Sequence, residues 1–172
     1  MAYQRRYEKA KSEFDQKVLD IRRVARVVAG GKRFRFRATV TIGDRKGRVG
    51  VGVAKGQDVT QAVEKAVADA KKHLIRVSLE GGSIPHEVEA KYSAARVILK
   101  RARAGRGIIA GGAVRAVLEL AGIGHVTAKV LGTTKNHLSN ARATIEALKK
   151  LKATSSKLKA DAISPVTTES PA

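Results

Sequence analysis

The chain has 172 residues, no cysteine, and 35 Lys plus Arg against 15 Asp plus Glu, a formal charge of +20. That length supports one medium domain or two small ones with a real core, and the missing thiols exclude disulfides, cysteine nucleophiles and thiolate metal sites. So large a positive charge exceeds what solubility asks for and points to a polyanionic partner, nucleic acid ahead of a membrane surface, because no helix pairs a basic face with bulky apolar anchors and no apolar run is long enough to span a bilayer.

Residues 1–13 read as a basic, polar arm, with Arg5, Arg6, Lys9 and Lys11 beside Glu8 and Glu13, expected to be flexible. The first residues lack the apolar stretch of a secretory signal, so the protein is expected to stay in the cytoplasm. From Val18 to Ala29, apolar Val18, Ile21, Val24, Val27 and Val28 mix with Arg22, Arg23 and Arg26, a spacing that fits helix and strand alike; we take it as strand. After Gly30-Gly31 comes the cleanest strand. Phe34, Phe36, Ala38, Val40 and Ile42 fall on one face and Arg35, Arg37, Thr39 and Thr41 on the other, so one face is expected to be core and the other basic. Gly43 to Gly47 reads as a turn and Arg48 to Val53 as the returning strand, valines opposite glycines. Asp58 and Gln61 resemble a capping box ahead of Val59, Ala62, Val63, Ala66, Val67, Ala70 and Leu74, the stripe of a helix that should cover the apolar sheet face. Its outer Lys65, Lys71, Lys72 and Arg76 fit a solvated face and an RNA contact equally.

Glu80-Gly81-Gly82-Ser83-Ile84-Pro85 reads as a domain junction. The second unit, residues 81–153, shows a strand around Ala95 to Lys100 and a glycine-rich loop from Arg103 to Gly112. A helix to Ala121 stopped by Gly122 follows, then a strand from His125 to Leu131, a turn to Asn136, and a helix striped by Leu138, Ala141, Ile145, Leu148 and Leu151. Residues 154–172 lack periodicity and read as a disordered tail. The fold class is therefore α+β: a βββα domain over residues 14–80, then a βαβα domain.

Catalytic readings fail. His73, His86, His125 and His137 match no metal spacing, Asp69 and His73 read as a surface ion pair, and no phosphate loop with its lysine is present, so no catalytic residue, metal or cofactor is expected. Gly50-Val51-Gly52-Val53-Ala54-Lys55-Gly56 is similar in outline to a dinucleotide loop, but the glycines lie inside an alternating strand. They let RNA backbone or a packed neighbour approach closely; RNA is favoured. The densest positive site is Gly30, Gly31, Lys32 and Arg33 with Arg22, Arg23, Arg26, Arg35 and Arg37, joined by Lys46, Arg48 and Lys55. Guanidinium forks there suit phosphate oxygens. A second site runs through Arg101, Arg103 and Arg106 into a helix N-terminus whose free amides add to the attraction. The aromatic residues, Tyr3, Tyr7, Phe14, Phe34, Phe36 and Tyr92, are too few for a platform that reads single-stranded bases, so contacts should run mainly to phosphate and shape.

The ordered motifs Gly30-Gly31-Lys32-Arg33-Phe34-Arg35-Phe36, Gly43-Asp44 with Gly47 to Gly52, Ile84-Pro85-His86, Gly107 to Gly122 and Arg142-Ala143-Thr144 resemble bacterial small-subunit ribosomal protein five over roughly residues 14–152. The resemblance implies an N-terminal domain like those that bind double-stranded RNA and a C-terminal βαβα domain. It also implies a place in the body of the small ribosomal subunit, with 16S rRNA and ribosomal proteins four and eight as partners and protein three where messenger RNA enters. Roles in assembly, messenger unwinding and decoding accuracy come with it, and a membrane or a homo-oligomer does not. Ala29 to Arg33 correspond to the family segment near the spectinomycin site, and Gly107 and Arg115 to its contact with protein four. The chain departs from the family pattern at Arg101 to Gly107, at Asn136-His137 and at Lys55-Gly56. Two competing readings stand beside it: a free double-stranded-RNA-binding regulator, and a small-molecule kinase suggested only by the βαβα outline.

Overall fold

The computed structural model describes residues 13–79 and 81–161. The first sheet has the order β1-β2-β3-β4, built from β1 (Asp15–Val28), β2 (Gly31–Gly43), β3 (Arg48–Gly56) and the short β4 (Ile75–Arg76), all antiparallel. Helix α1 (Val59–Lys72) separates β3 from β4. The Val18 to Ala29 segment is thus strand, and a bulge between Val18 and Asp20 leaves Leu19 unpaired. The expected capping box does not form: Gln61 accepts from the Gln57 N–H at 3.1 Å, one residue before the Asp58 N-cap, and Asp58 makes no side-chain cap bond.

Register explains how α1 sits. Phe36, Ala38, Val40 and Ile42 of β2 stand opposite Gly56, Ala54, Gly52 and Gly50 of β3. A side chain at Gly50 or Gly52 would meet the backbone oxygens of Ala70 and Ala66 at 2.6 and 2.2 Å. The glycines exist for the helix. Ala62, Ala66 and Ala70 come down onto Ala38, Val40 and Ile42, small residue on small residue, in a tightly approached core. This corrects the expectation that Gly50 and Gly52 admit RNA: both are buried beneath α1.

The opposite sheet face is basic over only half its length. Thr39 and Thr41 are buried, and Val49 and Val51 join an apolar cluster with Ile84, Leu99, Val117, Leu118, Leu120, Ile123 and Leu148 of the second domain. The sheet is therefore covered on both faces at one end and bare at the other. Physically, the odd residues of β2 change from Arg33, Arg35 and Arg37 to Thr39 and Thr41, and only the second group can be covered by an apolar neighbour.

The second sheet, ordered β5-β6-β8-β7, comprises β5 (Val88–Tyr92), β6 (Ala95–Arg101), β7 (Ile108–Ile109) and β8 (Val126–Val130). Helices α2 (Gly112–Ala121) and α3 (His137–Asp161) complete it. β5 and the two-residue β7 are additions to the expected βαβα outline; β5 pairs with β6 through a turn in which Ser93 takes φ 54°. α3 continues to Asp161, past Thr154, because no Gly or Pro interrupts residues 152–161. The expected arm falls, apart from Glu13, outside the described residues, and so does the tail beyond Asp161.

The two domains share a joint. The last four carbonyls of α2 lack helical partners. Those of Leu118 and Glu119 accept from Ile123 and Gly122, with Gly122 left-handed at φ 84°. Those of Leu120 and Ala121 accept from Arg45 and Gly47, both at 3.0 Å, in the β2–β3 turn. Contact is so close that a side chain on Gly43 would strike the Leu120 oxygen, and one on Gly122 the Arg45 oxygen.

Candidate nucleic-acid interface

β1 and β2 outrun β3. Their pairing continues to Val28 opposite Gly31, whereas β3 ends at Gly56 opposite Phe36, so a two-stranded ribbon projects from the sheet with Ala29-Gly30 at its tip. Alternation gives that ribbon a cationic face. Register sets Arg22 opposite Arg37, Arg26 opposite Arg33, and Arg37 opposite Lys55, with Val24 opposite Arg35 between them. Val24, Ala25, Arg26, Val28, Arg33, Arg35 and Lys55 line a shallow groove. Like charges directly across a ladder disfavour the fold by a few tenths of a kcal/mol or more each. Among the described residues no carboxylate comes within 4.0 Å of Arg26, Arg33, Arg35, Arg37 or Lys55; only Arg22 is paired, to Asp20 at 2.6 Å. An anion in the groove relieves that repulsion.

The remaining expected residues divide. Arg23 lies on the other face of the ribbon, 4.4 Å over the Phe34 ring, while Lys32 and Gly31 are exposed beside the tip. Gly30 has open space where a side chain would go, and Gly31 has φ 131°. Lys46 and Arg48 sit at the opposite end of the sheet. Arg48 is committed to the fold: its Nε donates to Asp44 Oδ2 at 2.6 Å, its Nη2 to Glu13 Oε1 at 2.5 Å, and its guanidinium covers Phe14. Arg48 thus anchors the turn. Burial alone raises the Asp44 carboxyl, but the Arg48 hydrogen bond and the backbone N–H groups of Arg48 and Lys46 outweigh it and hold the pKa at about 2.

Arg101, Arg103 and Arg106 are exposed around the loop between β6 and β7, on the second sheet and apart from the ribbon's ladder. Gly105 and Gly107 take φ 87° and 72°, and the Gly107 carbonyl accepts from Val126 N–H, which fixes the loop to β8. Arg115 projects from the exposed side of α2, where Glu119 pairs with Lys17 at 3.1 Å. His73 and Asp69 do meet, at 3.6 Å, and Asp69 also accepts from the Val53 N–H on the edge of β3. Sequence reasoning missed the ribbon's projection, since the end of β3 at Gly56 carries no stop stronger than its glycine.

Residues 14–78 match the family described as Ribosomal protein S5, N-terminal domain, and residues 90–161 that described as Ribosomal protein S5, C-terminal domain. The chain is 56% identical over 144 residues to Small ribosomal subunit protein uS5 of Gloeobacter violaceus, covering 83% of this chain but 64% of that relative's length. It is 50% identical over 139 residues to Small ribosomal subunit protein uS5 of Thermotoga neapolitana, covering 81% of this chain and 78% of the relative. To Small ribosomal subunit protein uS5c of Cyanophora paradoxa it is 52% identical over 143 residues, covering 83% of this chain and 84% of the relative.

Proposed function

The chain belongs to the ribosomal protein S5 family, and from that premise we propose that it is a structural constituent of the small ribosomal subunit whose projecting ribbon grips ribosomal RNA. The family is non-enzymatic. The observation that carries the RNA reading is the uncompensated cationic face: Arg26 opposite Arg33 and Arg37 opposite Lys55, with no carboxylate near them among the described residues. Phosphate oxygens supply what the fold leaves out, and guanidinium forks pair with them two bonds at a time. In this reading the target is 16S rRNA, the protein works in cytoplasmic ribosomes, and its two units are residues 14–80 and 81–153. The exposed Arg101, Arg103 and Arg106 form a second RNA contact. Gly107 and Arg115 face ribosomal protein four, with proteins eight and three as further neighbours, and the protein serves assembly, decoding accuracy and the passage of messenger RNA.

Changing Lys32 and Arg33 together to alanine tests the central part. Filter binding to 16S rRNA across a salt series should show weaker binding and a salt slope shallower by about 1 to 2, because each lost phosphate contact lowers it by roughly 0.7 to 0.9. An unchanged slope overturns the assignment.

A further inference from the structure

The apolar row of β2 runs one position further than its cover. Ile42, Val40, Ala38 and Phe36 lie under α1, but Phe34, next on the same face, stands beyond Gly56 and is 50% exposed. Half of that residue's surface lies open to solvent. Nor is it alone, since Ile21 and Val27 on the same face are 44% and 74% exposed. Arg23 lies over the ring with its guanidinium carbon 4.4 Å from the centroid, so a planar cation is already layered on a planar ring.

We infer that Phe34 and Arg23 form a stacking step for one unpaired RNA base, on the ribbon face opposite the phosphate-binding groove. The inference rests on the RNA reading above and adds to it: one face of the ribbon holds backbone, and the other takes a base. Charge selects the occupant. Arg23 and Lys32 lie on this face beside the step, while Arg22, Arg26, Arg33 and Arg35 stand on the groove face, and Asp20 of β1 is already paired with Arg22. An apolar protein surface would have to bury these cations unpaired, whereas a nucleotide presents a π-face to the guanidinium and a phosphate to its neighbours. A base laid on the outer face of Arg23 extends the stack to three layers, with the guanidinium in the middle. The expectation that contacts run mainly to phosphate and shape leaves room for this: a platform needs many aromatics, a single step needs one.

The test uses the full chain and a 16S rRNA transcript. Phe34→Leu keeps an apolar side chain but removes the ring; Arg23→Lys keeps the charge but removes the plane. Each should weaken binding about tenfold, the range of one lost base stack, while leaving the salt slope unchanged because no phosphate contact is lost. Ultraviolet cross-linking of the wild-type complex should join a base to the peptide that contains Phe34. Wild-type affinity in both variants, or a loss confined to the salt slope, overturns the stacking step. If Lys32→Ala with Arg33→Ala weakens binding in the same assay while Phe34→Leu does not, only this inference falls. If that pair is silent too, the RNA reading falls with it.

Discussion

Asp44 closes the turn on which the two domains meet. Its Oδ1 accepts from the backbone of Lys46 and Arg48 at 2.7 and 3.0 Å, and its Oδ2 from the Arg48 guanidinium. Asp44→Ala leaves those donors unmatched and should lower stability by about 2 kcal/mol, read as a drop in the unfolding midpoint in denaturant. The pH dependence follows from the same contacts. The folded pKa, about 2, lies below the ordinary 3.8, so the unfolded chain binds the proton more readily. The stabilisation is complete above about pH 4 and disappears as pH falls toward 2, a loss of about 2 kcal/mol that an acid titration of stability should show in wild type and not in Asp44→Ala. Glycines separate by role at this scale. Gly52→Ala drives a methyl group into the Ala66 oxygen and should cost about 1 to 3 kcal/mol, whereas Gly30→Ala meets open space and should change the melting temperature by less than about 2 °C.

At the level of elements, the projecting part of the β1–β2 hairpin is a two-stranded ribbon, which has marginal stability in water without a third strand or a covering helix. Hydrogen exchange in the free protein should therefore be faster at residues 22–35 than at Ala38 to Ile42, and 16S rRNA should slow the former selectively. Equal protection of both segments in the free protein would oppose this. The element order was largely legible because strict alternation in β2 and the stripe of α1 are strong periodic signals. Gly122 also ended α2 as expected. β5 was not legible: Val88, Ala90 and Tyr92 alternate over only five residues, and the pairing with β6 that settles them is a tertiary event. The role of Gly50 and Gly52 was hidden for a related reason. A strand glycine says that something comes close, and only the packing of α1 says what. The arginines of the ribbon were readable as a charge cluster, yet their division between two faces required the register across the bulge at Leu19.

For the molecule as a whole, the apolar cluster that joins Val49, Val51 and Val77 to the core of the second domain makes the two units mutually dependent. The α2 carbonyls of Leu120 and Ala121 find their donors in the other domain, so separating the domains exposes both an apolar face and unpaired backbone. A single cooperative transition, with near-coincident curves from probes placed in each sheet, is the expected unfolding behaviour; two resolved transitions would show that the joint contributes little. The bare end of the first sheet projects from this joined body, and in the proposed function it is there that the cations meet RNA.

In the proposed function, position, and not charge alone, holds the RNA. Replacing Arg26, Arg33 and Arg35 with alanine removes as much charge as replacing Lys65, Lys71 and Lys72, which are exposed on α1. Binding of the two triple variants to 16S rRNA across a salt series is the direct measurement. The ribbon variant should lose about 2 to 3 from the salt slope and most of its affinity, while the helix variant stays near wild type. Equal losses in the two variants would mean that net charge, and not the ribbon, sets the affinity.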